Sequence, residues 1–146
     1  MNRLNPAELV SFARKYRFAG GRLRRVRLRA GSGGSLSVEL LLTVRTALRE
    51  LGTEPKPVRL RLRLDGVEEY RFQKRPGTAA GHVPDARLGY FDGLVFVTLD
   101  AWGLDPGEAP KALDYRASDA YAAGRELWWE EVETRDTRHE TRDSEE

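Results

Sequence analysis

The chain has 146 residues, a formal net charge of +2 and no cysteine. This length is usual for a single domain and is enough to bury a hydrophobic core without covalent staples. The lack of cysteine excludes disulfides and cysteine-ligated metal sites. Because the N-terminus shows no export signal and no apolar run could span a bilayer, we expect a cytoplasmic protein that does not enter membranes.

Positive and negative side chains are unevenly distributed along the chain. Residues 1–91 contain 19 Lys/Arg and 8 Asp/Glu, whereas residues 92–146 contain 6 and 15. Such asymmetry is typical of a basic surface that meets an acidic partner. The simpler interpretation is that the two segments lie side by side and neutralise each other within one domain.

The first predicted element is a helix over residues 6–16. Asn5 is a suitable N-cap, Pro6 is tolerated in the first turn, and Glu8 favours the positive end of the helix dipole. Helical spacing places one apolar stripe on this segment, formed by Leu9, Phe12, Ala13 and Tyr16.

From residue 22 the hydrophobic period changes to two, which predicts strands over residues 22–30, 36–44, 58–64 and 68–74. The stretch 45–51 could continue the second strand or turn helical. Asp65-Gly66 predicts a hairpin between the last two strands. A two-residue loop would place Arg61 beside Tyr70, whereas a loop longer by one residue would place Leu62 there; we favour the second register because it gives an ordinary apolar core.

The rest of the chain predicts another hairpin, with Asp92-Gly93 between strands 86–91 and 94–100. A short strand is expected over 113–116, a turn of helix over 118–124 and a final strand over 125–133. Residues 134–146 are almost devoid of apolar side chains, and we expect a charged, disordered tail after a single domain spanning 1–133.

Together these elements indicate an α+β or mostly β fold. An N-terminal helix would be followed by about seven or eight antiparallel strands, arranged as a curved sheet, a sandwich or a partly open barrel.

No motif in the chain predicts catalysis. His82 lies in a loop without an evident nucleophile, and His139 lies in the expected tail. The glycine-rich stretch 31–35 matches no phosphate-binding motif and precedes a strand. Neighbouring carboxylates in strands point to opposite faces, and no cluster has metal-ligand spacing. We therefore expect a protein that is not an enzyme and has no cofactor or metal.

The most unusual feature is a pair of arginine rows that alternate with apolar residues. If the first three strands form a meander, both rows lie on one outer face, at a spacing of about 7 Å along each strand. Guanidinium groups in this arrangement suit an acidic protein or phosphate. The simpler interpretation is a solvated face partly neutralised by Glu39 and Glu69. The rows consist of Arg25, Arg27, Arg29, Arg59, Arg61 and Arg63.

A second candidate contact surface is the C-terminal strand with Trp128 and Trp129. Adjacent residues of a strand face opposite ways, so only one of the two can enter a one-sided core. The predicted hairpin also has apolar residues on its non-core face, namely Phe91, Leu94 and Phe96. Exposed together, such groups would mark an interface, although coverage by the N-terminal helix is the more economical explanation.

These observations favour a non-catalytic interaction module, such as an accessory subunit of a larger bacterial-type assembly. Its partner would be an acidic protein, bound by the six arginines together with Trp128 and Trp129. The first alternative is a nucleic-acid-binding protein that uses the same arginines. The second is a small-molecule-binding barrel lined by Tyr70, Phe72, Tyr90 and Trp129.

Overall fold

The computed structural model describes residues 1–47, 54–73, 81–100 and 110–132. The described residues form a curled antiparallel sheet of eight strands with two short helices, which confirms the predicted mostly β class. The elements are β1 (Asn2–Leu4), a 3-10 turn (Pro6–Glu8), α1 (Leu9–Lys15), β2 (Tyr16–Ala30), a second 3-10 turn (Ser32–Gly34), β3 (Leu36–Thr46), β4 (Pro57–Phe72), β5 (His82–Val83), β6 (Arg87–Phe91), β7 (Leu94–Thr98), α2 (Ala112–Arg116) and β8 (Ala120–Val132).

The strand order in the sheet is β5-β2-β3-β4-β8-β7-β6. One edge of β8 pairs with β4. Its other edge pairs with two strands, β7 along its N-terminal half and β1 along its C-terminal half. Strands β2, β3 and β4 form the expected meander. The predicted Asp92-Gly93 hairpin is also confirmed, with Tyr90 opposite Val95. Predictions for residues 48–53, 74–80, 101–109 and 133–146 lie outside the described residues.

The predicted hairpin turn at Asp65-Gly66 is wrong in both registers. β4 runs straight through this dipeptide, and β8 pairs with it on both sides, at Leu64–Leu127 and at Phe72–Ala120. Gly66 keeps the positive φ of 63° that a turn would use, but it lies next to a register shift between Val67 and Glu69. A positive φ serves a bulge as well as a turn, so the local sequence signal is shared by both structures.

The helix and strand predicted over residues 113–124 are also wrong, because their order is reversed. Residues 112–116 form α2, and the backbone N–H of Lys111 donates to the Asp114 carboxylate at 2.7 Å, a first-turn contact. β8 then begins at Ala120, and Ala123 is fully buried between β4 and β7. A Cβ atom on Gly124 would lie 2.9 Å from the Asp65 carbonyl oxygen. Small side chains here permit close strand packing, which overrides their weak local preference for helix.

The inner face of the sheet carries the main core, which α1 covers. The predicted inward residues of β3 and β4 are buried, including Leu40, Leu42 and Leu62 at no more than 1% exposure. Phe12 of α1 enters this cluster and lies 5.1 Å from the Trp129 ring, measured between centroids. The N-terminal helix is therefore an inner-face element, as its apolar stripe predicts.

A smaller apolar cluster lies on the opposite face, at the β6–β7 end. Phe96 is fully buried there, with its ring 5.6 Å from Tyr115 and 5.7 Å from Phe91. α2 supplies Tyr115, so the expectation that the N-terminal helix covers this face is wrong. α1 already covers the inner face, and one short helix cannot lie on both sides of the sheet.

A polar network fastens α2 to β4. The Glu69 carboxylate accepts hydrogen bonds from Nε and Nη2 of Arg116, both at 2.8 Å, and from the Tyr121 hydroxyl at 3.1 Å. Arg71 donates to the carbonyl oxygens of Arg116 and Ser118. The hydrogen bonds from Arg116 lower the pKa of Glu69 below its ordinary value. Burial raises the pKa of Tyr115, a residue of α2, to about 12, so its hydroxyl stays neutral.

Because the pKa of Glu69 is lower in the folded state, its contribution to stability is present near neutral pH and is lost as the pH falls through the folded value. We expect Glu69→Gln to be less stable than wild type at pH 7, with the difference shrinking below about pH 4. Urea unfolding between pH 3 and pH 7 measures this. Glu68→Gln, which removes a partner of the exposed Arg125, is the control; an equal effect of the two substitutions at every pH would contradict the network.

The adjacent tryptophans provide a test of the two faces. We expect Trp129→Ala to lower the free energy of unfolding by about 3 kcal/mol, the lower end of the range for core tryptophans, because its partly buried ring packs against the inner aromatic cluster. Trp128→Ala should cost about 1–2 kcal/mol, because this ring is half-buried on the outer face. Urea unfolding at neutral pH compares the two variants, and a loss below about 1 kcal/mol for Trp129→Ala would place that ring outside the core.

Candidate interaction surface

The two arginine rows lie on the outer face of the sheet, on either side of β3. Arg27 of β2 and Arg63 of β4 are both opposite Glu39. Arg25 and Arg61 are both opposite Leu41. A meander predicts this arrangement, because every second side chain of a strand points to the same face of the sheet.

The row on β4 is largely neutralised by its neighbours. Nη1 of Arg61 lies 2.5 Å from a carboxylate oxygen of Glu130 on β8, and its Nε lies 3.8 Å from Glu39. Nε and Nη2 of Arg63 donate to the two carboxylate oxygens of Asp65 at 3.0 and 3.1 Å. Arg59 completes this row and is opposite Val132. At β4, therefore, the C-terminal acidic segment contributes Glu130 to the neutralisation, whereas Glu39 and Asp65 come from the N-terminal basic segment itself.

Trp128 lies on this face too, but its ring is already engaged. The Arg63 guanidinium lies 5.4 Å from the ring centroid, within the range of a cation–π contact. The indole Nε1 donates to Oε1 of Glu126 at 3.3 Å. The other carboxylate oxygen of Glu126 lies 3.6 Å from Nη2 of Arg3. The ring is thus held between charged neighbours and does not stand out as a platform.

Trp129 lies on the other side of the sheet from the six arginines. Its ring packs against Phe12 and Tyr16, and the Lys15 ammonium lies 4.6 Å from its centroid. The two contact features that the sequence joined in one hypothesis, the arginine rows and the tryptophan pair, therefore share a face only through Trp128.

The row on β2 differs from the row on β4. Arg25, Arg27 and Arg29 are exposed, and within the described part of the chain none of them forms an ion pair. β2 contains six arginines and no acidic residue over its whole length. Glu39 is directly across from Arg27, but its carboxylate turns towards Arg61. We call Arg25, Arg27 and Arg29 the β2 arginine row.

The same segment of β2 lies at an edge of the sheet that the described residues form. β5 pairs with β2 only at Gly21 and Arg22, and the Leu23 N–H donates to the Gly81 carbonyl at 2.7 Å. Among the described residues, no strand continues this pairing along residues 24–30. Sequence reasoning missed this edge, although a long strand with one sign of charge is a known sign of a protected sheet edge.

The aromatic residues proposed to line a cavity are split between core and surface. Phe72 and Trp129 pack against the main core cluster, whereas Tyr70 and Tyr90 are 48% and 47% exposed. An open depression borders Trp129 between α1 and β1 and is lined also by Arg3, Glu8 and Arg14. The depression contains none of the other three aromatic residues.

The remaining chemical groups do not converge on a reaction centre. His82 is exposed on β5 and pairs through its backbone with Arg22. Within the described ranges, no group of three or more His, Asp or Glu side chains could hold a metal ion, and no helix is long and apolar enough to cross a membrane.

Comparisons of the chain with protein-family models, with curated proteins and with solved structures found no match. The function must therefore be argued from the surface itself.

The contrast between the two rows predicts different energetic roles. Arg61→Ala should lower the free energy of unfolding by about 1 kcal/mol, because Glu39 and Glu130 lose their shared cation. Arg27→Ala should stay within about 0.5 kcal/mol of wild type, because it removes no ion pair. Thermal unfolding at low and high salt tests this: salt should reduce the Arg61 effect. A larger loss for Arg27→Ala would show that the β2 arginine row is structural.

Proposed function

We propose that this protein is a non-catalytic interaction module that binds an acidic segment of a protein partner through the β2 arginine row. The observation that carries the proposal is the contrast on the outer face. Acidic neighbours neutralise Arg61 and Arg63, whereas Arg25, Arg27 and Arg29 are exposed and have no acidic partner among the described residues. Such a module would serve as an accessory subunit of a larger, cytoplasmic assembly.

The chemistry of the row suits carboxylates. Guanidinium groups repeat about every 7 Å along a strand, which matches the spacing of alternate side chains in an extended peptide. Each guanidinium can bind a carboxylate through two parallel hydrogen bonds. Since these arginines form no ion pair with any described residue, binding a partner would break none of the described ion pairs.

Two observations favour an acidic protein over nucleic acid. Glu39, Glu126 and Glu130 interrupt the positive charge of the outer face, so the arginines form no continuous surface along which a phosphate backbone could run. Trp128, the one tryptophan that the described residues place on this face, is engaged by Arg63 and Glu126. Proteins that bind single strands combine a positive groove with exposed aromatic rings that stack on bases.

The proposal is tested by fluorescence anisotropy with labelled poly-L-glutamate and with single- and double-stranded DNA and RNA, at salt concentrations of about 50 to 200 mM. We expect poly-L-glutamate to bind more tightly than the nucleic acids, with an affinity that falls as salt rises. The double substitution Arg25→Glu and Arg27→Glu should weaken this binding by about tenfold or more.

Arg14→Glu is the matched control for the single substitution Arg27→Glu, since Arg14 is an exposed arginine on α1. It changes the net charge with the same chemistry but should leave binding close to wild type. If DNA or RNA binds more tightly than poly-L-glutamate, and the double substitution of Arg25 and Arg27 abolishes that binding, the nucleic-acid function replaces the proposal. No binding of poly-L-glutamate at the lowest salt would overturn it.

A further inference from the structure

We infer that the partner segment binds by strand addition, pairing its backbone with the edge of β2 along residues 24–30, where no strand of the described residues pairs. This inference rests on the proposed function and specifies how the acidic segment is held. The edge is well supported on its other side, because β2 pairs with β3 as far as Ala30–Leu36. An edge strand presents backbone N–H and C=O groups that can accept another strand.

The structure already contains a short example of the same contact. β5 adds to the same edge in antiparallel orientation, with Val83 opposite Gly21 and His82 opposite Arg22. Val83 is 1% exposed, so the added strand also contributes to the core. Beyond β5 and a register shift between Leu23 and Arg25, β2 pairs with β3 in regular register as far as Ala30, so a strand added at residues 25–30 would continue the sheet.

The side chains of the edge define the partner's pattern. On β2 the outer face carries the β2 arginine row, whereas Val26, Leu28 and Ala30 alternate with it on the inner face. Leu28 is 43% exposed although it lies on the core side of the sheet. A neighbouring strand lies about 4.8 Å away, so its alternate side chains would stand beside these two rows. Acidic residues would face the arginines, and aliphatic residues would cover Leu28.

The occupant is a foreign segment and not a second copy of this edge. Two β2 edges paired with each other would bring their arginine rows into adjacent positions, and like charges directly opposite destabilise a sheet. The other end of the sheet is a weaker candidate, because β6 has five residues and a single arginine, Arg87. Length and charge together therefore select residues 24–30 and a segment of alternating acidic and aliphatic residues.

The experiment uses a labelled synthetic peptide of about eight residues that alternates Glu and Val. Its control has the same side chains but carries N-methyl groups on the backbone nitrogens that would face β2. We expect the parent peptide to bind the full chain and the N-methylated peptide to bind about tenfold more weakly or worse, because several backbone hydrogen bonds are lost. Amide hydrogen exchange should slow within residues 24–30 when the parent peptide is bound.

A pair of leucine variants tests the inner row. Leu28→Ser should weaken binding of the Glu/Val peptide several-fold and leave binding of poly-L-glutamate near wild type, because only the peptide has aliphatic side chains to cover this position. Leu113→Ser is the matched control, since Leu113 is 74% exposed on α2. It should leave the binding of both probes unchanged.

Equal binding of the parent and N-methylated peptides would overturn strand addition and leave the acidic-partner function standing. The same holds if poly-L-glutamate binds but neither peptide does. If the wild-type chain does not bind poly-L-glutamate, the proposed function on which the inference rests is overturned instead. Peptide binding with exchange protection along β6 rather than β2 would also overturn the choice of edge.

Discussion

The structure depends on one constraint, the pairing of β8 with β4 along both long strands. This pairing keeps Asp65-Gly66 inside a continuous strand, and it requires the small residues Ala123 and Gly124 where β4, β8 and β7 meet. It also places Trp128 on the outer face and Trp129 in the inner aromatic cluster. The position of each acidic residue of β8 then follows from this register.

The charge distribution of the outer face follows from the same pairing. β8 brings Glu130 beside Arg61, so the acidic end of the chain adds one carboxylate to those of Glu39 and Asp65 that neutralise β4. β2 is two strands further away, separated from β8 by β3 and β4. Carboxylates on β8 cannot reach β2, because three interstrand spacings, about 14 Å of sheet, separate the two strands. Among the described residues, therefore, no carboxylate of β8 neutralises the β2 arginine row, which lies beside an edge that β5 covers only in part.

Several features could be predicted from the sequence because a local pattern decides them. Period-two alternation identified the buried faces of β3 and β4, and Asp92-Gly93 identified its hairpin. The predictions failed where one pattern serves two structures. Asp65-Gly66 suits a bulge as well as a turn, and Ala120 to Gly124 suit a helical turn in isolation but a strand between two neighbours. Of the candidate site, the arginine rows could be read from alternation, whereas the open edge could not.

The sequence by itself determined the class of the fold, the placement of both arginine rows on the same side of their strands, and the opposite facing of the two tryptophans. Each of these follows from the two-residue repeat of an extended chain, which is a local property. Only the tertiary structure decided which arginines are neutralised, which helix covers which face, and where the sheet ends. Those outcomes depend on strand order and register, and these are set by contacts between segments far apart in the chain.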